Sequence, residues 1–309
     1  MRGHRNRDAK PVTSGVLRCI IPGMTRSIPN RTSRIQAVVA SSAALALVAC
    51  GGGGSSTTAP PPPNTCTTTP PAAQVSYYTP AQSRCGTALL TALQQLVRGQ
   101  RVLGYTSARD SLYAFVDRGS RTWIVDLYTG RQAIGVTTRA TAAQNGINTE
   151  HTWPRSRGAE VDPALSDLHH LFSSDSAANE RRQNYPYGLV RGTVIWTGPA
   201  AAGSAETSRL GYANGSSGQI VFEPRASVRG DIARGLLYFY LRYDTDRPSG
   251  YSLLNFAQER DLLIAWARED PVDAWERSRN DAVFRAQGNR NPFIDWPELL
   301  ELLPTLPLS

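Results

Sequence analysis

Apolar residues recur at helical spacing early in the chain and again, more densely, in its C-terminal half. Gly86–Val97 places its leucines on one side of a helix. The same spacing predicts three further helices, over Gly230–Tyr243, Leu253–Arg268 and Asp273–Ala286. Gly288 follows the last of them at the position where a left-handed C-cap is expected. The pattern therefore predicts a mainly helical C-terminal half.

Shorter stretches alternate apolar and polar residues, which is typical of strands. They are Tyr113–Val116, Trp123–Leu127, Val194–Trp196 and Gln219–Phe222. A Gly/Ser/Ala-rich stretch between the last two is interpreted as a loop, and we find no internal repeat. Helices and short strands together predict one α+β domain.

The middle of the chain predicts two extended segments followed by a helix, over Ile147–Thr152, Leu165–Phe172 and Ser176–Gln183. Ser173, Ser174 and Asp175 are candidate N-caps for this helix. Asn179 and Arg182 lie three residues apart, so they share a helix face. This segment could bring several polar side chains to one focus.

The N-terminal segment has the features of an export signal. Arginines precede the apolar stretch Ile35–Ala49, which is too short to span a bilayer comfortably. The stretch ends in Leu-Val-Ala before Cys50, which resembles the bacterial lipoprotein cleavage box. We interpret residues 1–49 as a lipoprotein signal segment, with Met24 as an alternative start, and Cys50 as the lipid-attachment residue. The protein is then exported and lipid-anchored at the periplasmic face or cell surface, or it is extracellular.

Residues 50–74 form a Gly/Ser/Thr/Pro-rich tract that we interpret as a tether. The folded domain is expected over residues 75–309. Cys66 and Cys85 remain after the leader and the acylated cysteine are set aside. In an oxidising compartment they could form one disulfide, worth about 3 kcal/mol.

The positive charge of the chain sits mostly in its leader. The 309 residues carry a formal charge of +8, but from Cys50 onward 25 basic residues face 24 acidic ones. The high pI therefore says little about nucleic acid. Every basic residue after Cys50 is arginine, which suits phosphate contacts, although a GC-rich coding bias is the simpler explanation.

Three of the four histidines lie within twenty residues of one another, at His151, His169 and His170. Histidine is poised for proton transfer near neutral pH. Glu150 and His151 are adjacent, however, and adjacent strand residues point to opposite faces. If both serve one site, they must lie at a strand end or bulge, which Pro154 favours.

At this point the chain resembles the bacterial endonuclease I family, which belongs to the ββα-metal, or His-Me finger, nucleases. The resemblance is carried by TEHTWP at 149–154, DLHHL at 167–171 and NERRQN at 179–184. It extends to residues 222–234 and 287–293 and covers most of 75–295. Each motif is weak alone, and the combination is specific.

The resemblance implies a ββα-metal core and a largely sequence-nonspecific, Mg²⁺-dependent endonuclease. It would cut DNA, or RNA, to 5′-phosphate ends, and we expect a monomer. His151 would be the general base and Arg182 a phosphate contact, with Glu150 and Asn179 as metal ligands. His169, Asp167 and Asn184 would support the site. One carboxylate and one amide oxygen suit a hard cation such as Mg²⁺.

Two other functions remain open at this point. A zinc-dependent hydrolase could use His151, His169 and His170 as ligands, although the spacing follows no familiar zinc pattern. A non-catalytic surface lipoprotein could bind DNA through a decayed site. Arg155 and Arg157 are candidates for a further family arginine, and Arg229, Arg234 and Arg290 could touch phosphates, although a solvated role is the default for such arginines.

Overall fold

The computed structural model describes residues 70, 74–253 and 256–305. The signal segment and nearly all of the tether, with Cys50 and Cys66, lie outside the described residues. The helices within these ranges are α1 (Val75–Tyr78), α2 (Gly86–Arg98), α3 (Tyr105–Ser111), α4 (Arg139–Gln144), α5 (Ser176–Arg182), α6 (Arg229–Tyr243), α7 (Phe256–Glu269), α8 (Ala274–Gln287) and α9 (Pro292–Asp295). None of them has both the length and the apolar character needed to cross a membrane.

The strands form small antiparallel sheets. They are β1 (Trp123–Val125), β2 (Gln132–Ile134), β3 (Ile147–His151), β4 (Leu171–Asp175), β5 (Val194–Thr197), β6 (Arg209–Tyr212) and β7 (Ile220–Glu223). β1 pairs with β2, β3 with β4, and β6 lies between β5 and β7. With helices over most of the C-terminal half, the predicted α+β class is confirmed.

α6 lies at the centre of the larger hydrophobic core. Its sequence is rich in apolar and aromatic residues, and nearly every residue is buried, as expected of a helix without a solvent face. It packs against α7 on one side and α2 on another. Arg234, a buried arginine of this helix, is paired with Glu276 of α8 at 2.6 Å. α6 thus joins α2 and α7 in the larger core.

The helix predictions hold well. α2 buries Leu89, Leu93 and Val97, which the leucine spacing placed on one face. α6, α7 and α8 start and end within three residues of their predicted bounds. Gly288 has φ +84° and caps α8 in the left-handed conformation, where a residue without a Cβ carries no steric cost.

Three predictions for the short elements were wrong. Leu112–Val116 is a π-helix and not a strand, because Tyr113 and Val116 pack into a core that the local alternation does not reveal. The extended segment assigned to Leu165–Phe172 starts as a 3₁₀ turn, and β4 begins only at Leu171. The loop before β7 contains β6, which pairs on both edges.

Candidate active site

β3, β4 and α5 form one consecutive strand–strand–helix unit. In the β3–β4 register, Glu150 lies opposite Phe172 and His151 opposite Leu171. The Asp175 carboxylate ends β4 and accepts the backbone N–H groups of Ala177 and Ala178, both at 3.1 Å. This cap starts α5, which packs against both strands.

An open cleft of about 450 Å³ lies over this unit. Its lining residues are Thr149, Glu150, His151, Pro154, Arg155, Ser156, Glu160, Asn179, Arg182, Gln183 and Asn184. Glu150, His151, Asn179, Arg182 and Asn184, predicted from two separate motifs, are therefore together. His151 is the last residue of β3, so the two adjacent side chains reach one cleft at a strand end.

His151 is held as a neutral imidazole with one nitrogen fixed. Its Nε2 lies 3.1 Å from the carbonyl oxygen of Leu165, an acceptor that requires the proton on Nε2. The ring also packs near Tyr105 and His170. Burial, and then the nearby His170, lower the pKa of His151 to about 3. The remaining nitrogen, Nδ1, is thus an acceptor.

The carboxylate of Glu150 is deeply buried behind the cleft. Its Oε1 accepts the Tyr128 hydroxyl at 2.7 Å and the Tyr187 hydroxyl at 3.4 Å. Arg182 Nη1 lies 3.0 Å from the same oxygen. Oε2 takes part in none of these contacts. Burial raises the pKa of Glu150, and the Arg182 charge opposes that rise.

Arg182 is more deeply buried than the sequence analysis expected of a phosphate contact. Its side chain is 2% exposed, Nη1 also donates to the His151 carbonyl, and Nη2 donates to that of Thr152 at 2.7 Å. Its guanidinium lies over the Tyr187 ring. Arg182 therefore ties α5 to the end of β3 and to Glu150, in addition to lining the cleft.

Asn179 presents an oxygen to the cleft. Its amide nitrogen donates to Asn148 Oδ1 at 2.8 Å and to the Thr149 carbonyl at 3.4 Å, which fixes the amide and leaves Oδ1 unused by these bonds. Asn179 and Glu150 both line the cleft, and an amide oxygen with a carboxylate oxygen is a donor set that fits a hard divalent cation.

The other candidate residues are divided between the core and the cleft rim. Asp167 is fully buried and accepts hydrogen bonds from Gln100, His169, Tyr238, Tyr243 and Gln287. Burial alone would raise the pKa of Asp167, but the neighbouring histidines and these bonds lower it. Asn184 is exposed, and its amide lies 3.4 Å from Ser156 Oγ. Asp167 is thus the centre of a buried hydrogen-bond network, whereas Asn184 lies on the cleft wall.

The three histidine rings form hydrogen bonds with different backbone carbonyl groups. His169 Nε2 lies 3.2 Å from the Asn289 carbonyl, and His170 Nε2 lies 2.7 Å from that of Ala164. Burial lowers the pKa of both, that of His169 to about 4. Because each ring, like that of His151, bonds a different carbonyl, the geometry does not favour the zinc alternative. No cluster of three His, Cys, Asp or Glu side chains suited to a metal occurs in the described ranges.

Most of the outlying arginines are paired inside the protein. Arg229 lies 2.6 Å from Glu223, Arg234 binds Glu276, and Arg290 binds Asp295 and Asp281. Arg155 lines the cleft and pairs with the exposed Glu160. Arg229, Arg234 and Arg290 therefore pair with carboxylates of this chain, and Arg155 is a further arginine that lines the cleft.

Sequence reasoning missed the residues that support the site from behind. Tyr128 and Tyr187 bond each other at 2.7 Å and both reach Glu150. Glu259 of α7 accepts the Tyr187 N–H at 3.1 Å. Gln287 and Asn289 bond the segment that carries Asp167 and His169. Only the last two lie in a motif that the sequence analysis singled out.

Cys85, at the start of α2, is disulfide-bonded. Its expected partner, Cys66, lies outside the described residues. Pairing of Cys66 with Cys85 stays a prediction.

The fold and cleft define a small α+β protein with a neutral histidine, a carboxylate and an amide on one strand–strand–helix unit. The Endonuclease I family profile matches residues 85–298, and the chain belongs to this family. An extracellular ribonuclease of Bacillus amyloliquefaciens is 31% identical over 241 residues, covering 72% of this chain and 76% of the relative. A periplasmic deoxyribonuclease of Aeromonas hydrophila is 34% identical over 140 residues, covering 45% and 51%.

Proposed function

We propose that this protein is an exported, Mg²⁺-dependent endonuclease that hydrolyses DNA, or RNA, with little sequence specificity. In this proposal β3, β4 and α5 are the ββα-metal core. The names of the relatives support a nucleic-acid substrate, since one is a ribonuclease and another a deoxyribonuclease. Their extracellular and periplasmic locations support export. We also propose that the protein acts as a monomer.

The observation that carries the proposal is the fixed neutral tautomer of His151. Donation from Nε2 to the Leu165 carbonyl orients the ring and leaves Nδ1 to take a proton. A phosphodiester in the cleft brings negative charge beside the ring, which raises the pKa of the imidazole from its low resting value. His151 is thereby suited to act as a general base.

In the reaction, His151 Nδ1 accepts a proton from a water whose oxygen attacks phosphorus. The P–O3′ bond breaks, the 3′ oxygen takes up a proton from solvent, and the products carry 5′-phosphate and 3′-hydroxyl ends. Glu150 and Asn179 would hold the Mg²⁺ through their oxygens. When bound, the ion supplies positive charge that neutralises the developing charge on the phosphate and the leaving oxygen.

Activity and metal binding measured on the same variants test this proposal. His151→Ala should lose about 10²–10⁴ in rate, the usual cost of removing a general base, and should keep Mg²⁺ binding. Glu150→Ala and Asn179→Ala should weaken Mg²⁺ binding, the former more because it removes the charged ligand. Plasmid nicking and calorimetric Mg²⁺ titration measure the two quantities.

Metal replacement separates this mechanism from the zinc hydrolase. EDTA-treated protein should regain plasmid nicking with Mg²⁺. Recovery with Zn²⁺ but not Mg²⁺, together with loss of a tightly held metal in both His151→Ala and His169→Ala, would reject it.

A further inference from the structure

Gln183 has a backbone conformation that residues other than glycine rarely adopt. Its φ is +51° and its ψ is −122°. In the described part of the chain, Ser83 is the other non-glycine residue with positive φ. Such residues cluster at functional sites, where the surrounding structure holds them in place.

The local hydrogen bonds define a β-turn. The Tyr185 N–H donates to the Arg182 carbonyl at 3.1 Å, so Gln183 is the second residue of the turn. Its angles match a type II′ turn, for which glycine is strongly preferred at this position. The sequence therefore keeps a large side chain where the backbone favours none.

The turn itself uses only main-chain atoms of Gln183. Its N–H donates to the Asn179 carbonyl at 3.1 Å, and its own carbonyl accepts Arg182 Nη1 at 3.2 Å. Glycine would supply both groups equally well. The side chain is exposed and lines the cleft, so its role lies toward the cleft and not in the turn.

We propose that the Gln183 amide is a substrate contact that donates to a phosphate oxygen of the nucleic-acid strand in the cleft. This rests on the proposed nuclease function. No Phe, Tyr or Trp is among the residues that line the cleft, so there is no such ring on which a base could stack. Phosphate and sugar groups take most hydrogen bonds between proteins and DNA, and a neutral amide can donate to them.

The test is Gln183→Gly in the full chain, because it removes the side chain and suits the turn. The KM for plasmid should rise about three- to tenfold, the worth of one neutral hydrogen bond, with kcat within about twofold. The Tm should stay equal or rise. Gln183→Glu should raise KM further, since it places a negative charge beside the phosphate.

Ser83→Gly is the matched control. It also removes a side chain at positive φ (+56°) from an exposed position, away from the cleft, and should leave KM unchanged. An unchanged KM in Gln183→Gly, or a lowered Tm, would overturn the proposal. A shift in the sequenced cut positions would assign the contact to a base and overturn it as stated. If wild-type protein cuts no nucleic acid, the proposed function fails and this contact with it.

Discussion

Glu150 and Arg182 form an ion pair removed from water, with side chains 3% and 2% exposed. Such a pair adds little net stability compared with apolar residues, but losing one partner leaves an uncompensated buried charge. Here the tyrosine hydroxyls donate to Glu150 Oε1, and the backbone carbonyls of His151 and Thr152 accept from the two Nη groups of Arg182. The pair thereby fixes the candidate metal ligand from behind.

Arg182→Ala should lower the free energy of unfolding by about 3–5 kcal/mol, the typical cost of breaking a buried pair. This differs from the sequence analysis, in which Arg182 was expected to be a phosphate contact. Urea unfolding measures it. Arg181→Ala, at the exposed neighbouring position, should change stability by less than about 0.5 kcal/mol. Equal stability of the two variants would show that the buried pair contributes nothing.

Glu259 lowers the stability of the protein by an amount that depends on pH. Burial raises its pKa from 4.5 to about 7, while Arg182 opposes the rise. When a carboxyl has a higher pKa in the folded protein than in the unfolded chain, the protein loses stability as the pH rises from the unfolded-state pKa to the folded-state pKa. Glu259→Gln removes this titration and keeps an oxygen for the Tyr187 N–H.

The stability of Glu259→Gln relative to wild type should therefore increase by about 2–3 kcal/mol between about pH 4.5 and about pH 8. Urea unfolding at both pH values measures the difference. Glu269→Gln, exposed on the same helix, is the matched control. Parallel stability curves for wild type and Glu259→Gln would contradict the assignment.

The residues of the cleft could be predicted because their motifs are local. Glu150, His151 and Asn179 lie on consecutive elements, so short patterns place them together. Tyr128, Tyr187 and Glu259 come from separate parts of the chain, and their contacts depend on tertiary packing that no short pattern encodes. The burial of Arg182 was missed for the same reason.

Among the elements, α5 depends on a single cap. Asp175 bonds two N–H groups of its first turn and pairs with Arg131 at 3.1 Å. Asp175 was one of three candidate N-caps in the sequence, because Ser or Asp before a helix is a local signal. Since Asn179 lies one turn further on, the cap also sets the position of the amide.

Asp175→Ala should lower stability by about 1 kcal/mol and weaken Mg²⁺ binding, because the start of α5 frays toward Asn179. Asp175→Asn keeps the capping oxygen and should retain Mg²⁺ affinity close to wild type. Thermal unfolding and calorimetric titration measure both effects. If the Ala and Asn variants bind Mg²⁺ alike, the cap does not position Asn179.

The elements that escaped prediction were those defined by their neighbours. β6 has the sequence Arg-Leu-Gly-Tyr, which shows little alternation, and is a strand because β5 and β7 pair with its two edges. The π-helix at Leu112–Val116 has strand-forming residues, and core packing overrides their preference.

For the whole molecule, the anchor at Cys50 remains a prediction. Cys50→Ser should move the protein from the membrane fraction to the soluble fraction, or block its processing, because the acylated residue is lost. Fractionation followed by N-terminal mass analysis measures this. Normal processing with unchanged membrane association would argue against lipidation.

The hydrogen bonds around Asp167 and His169 can be completed only late in the synthesis of the chain. Gln287 donates to Asp167 at 2.8 Å, and the Asn289 carbonyl meets His169. A ribosome completes β3, β4 and α5 long before it reaches these two residues. A growing chain thus carries His151, with every other proposed catalytic group, before the partners that order its surroundings exist.

We therefore expect chains that end before Gln287 to leave plasmid intact, and chains that extend to Thr305 to cut it. In vitro translation of the two lengths measures this difference. Cutting by the shorter chain would contradict it. By that expectation, a nascent chain gains activity only once the residues that pack around Asp167 and His169 have been made.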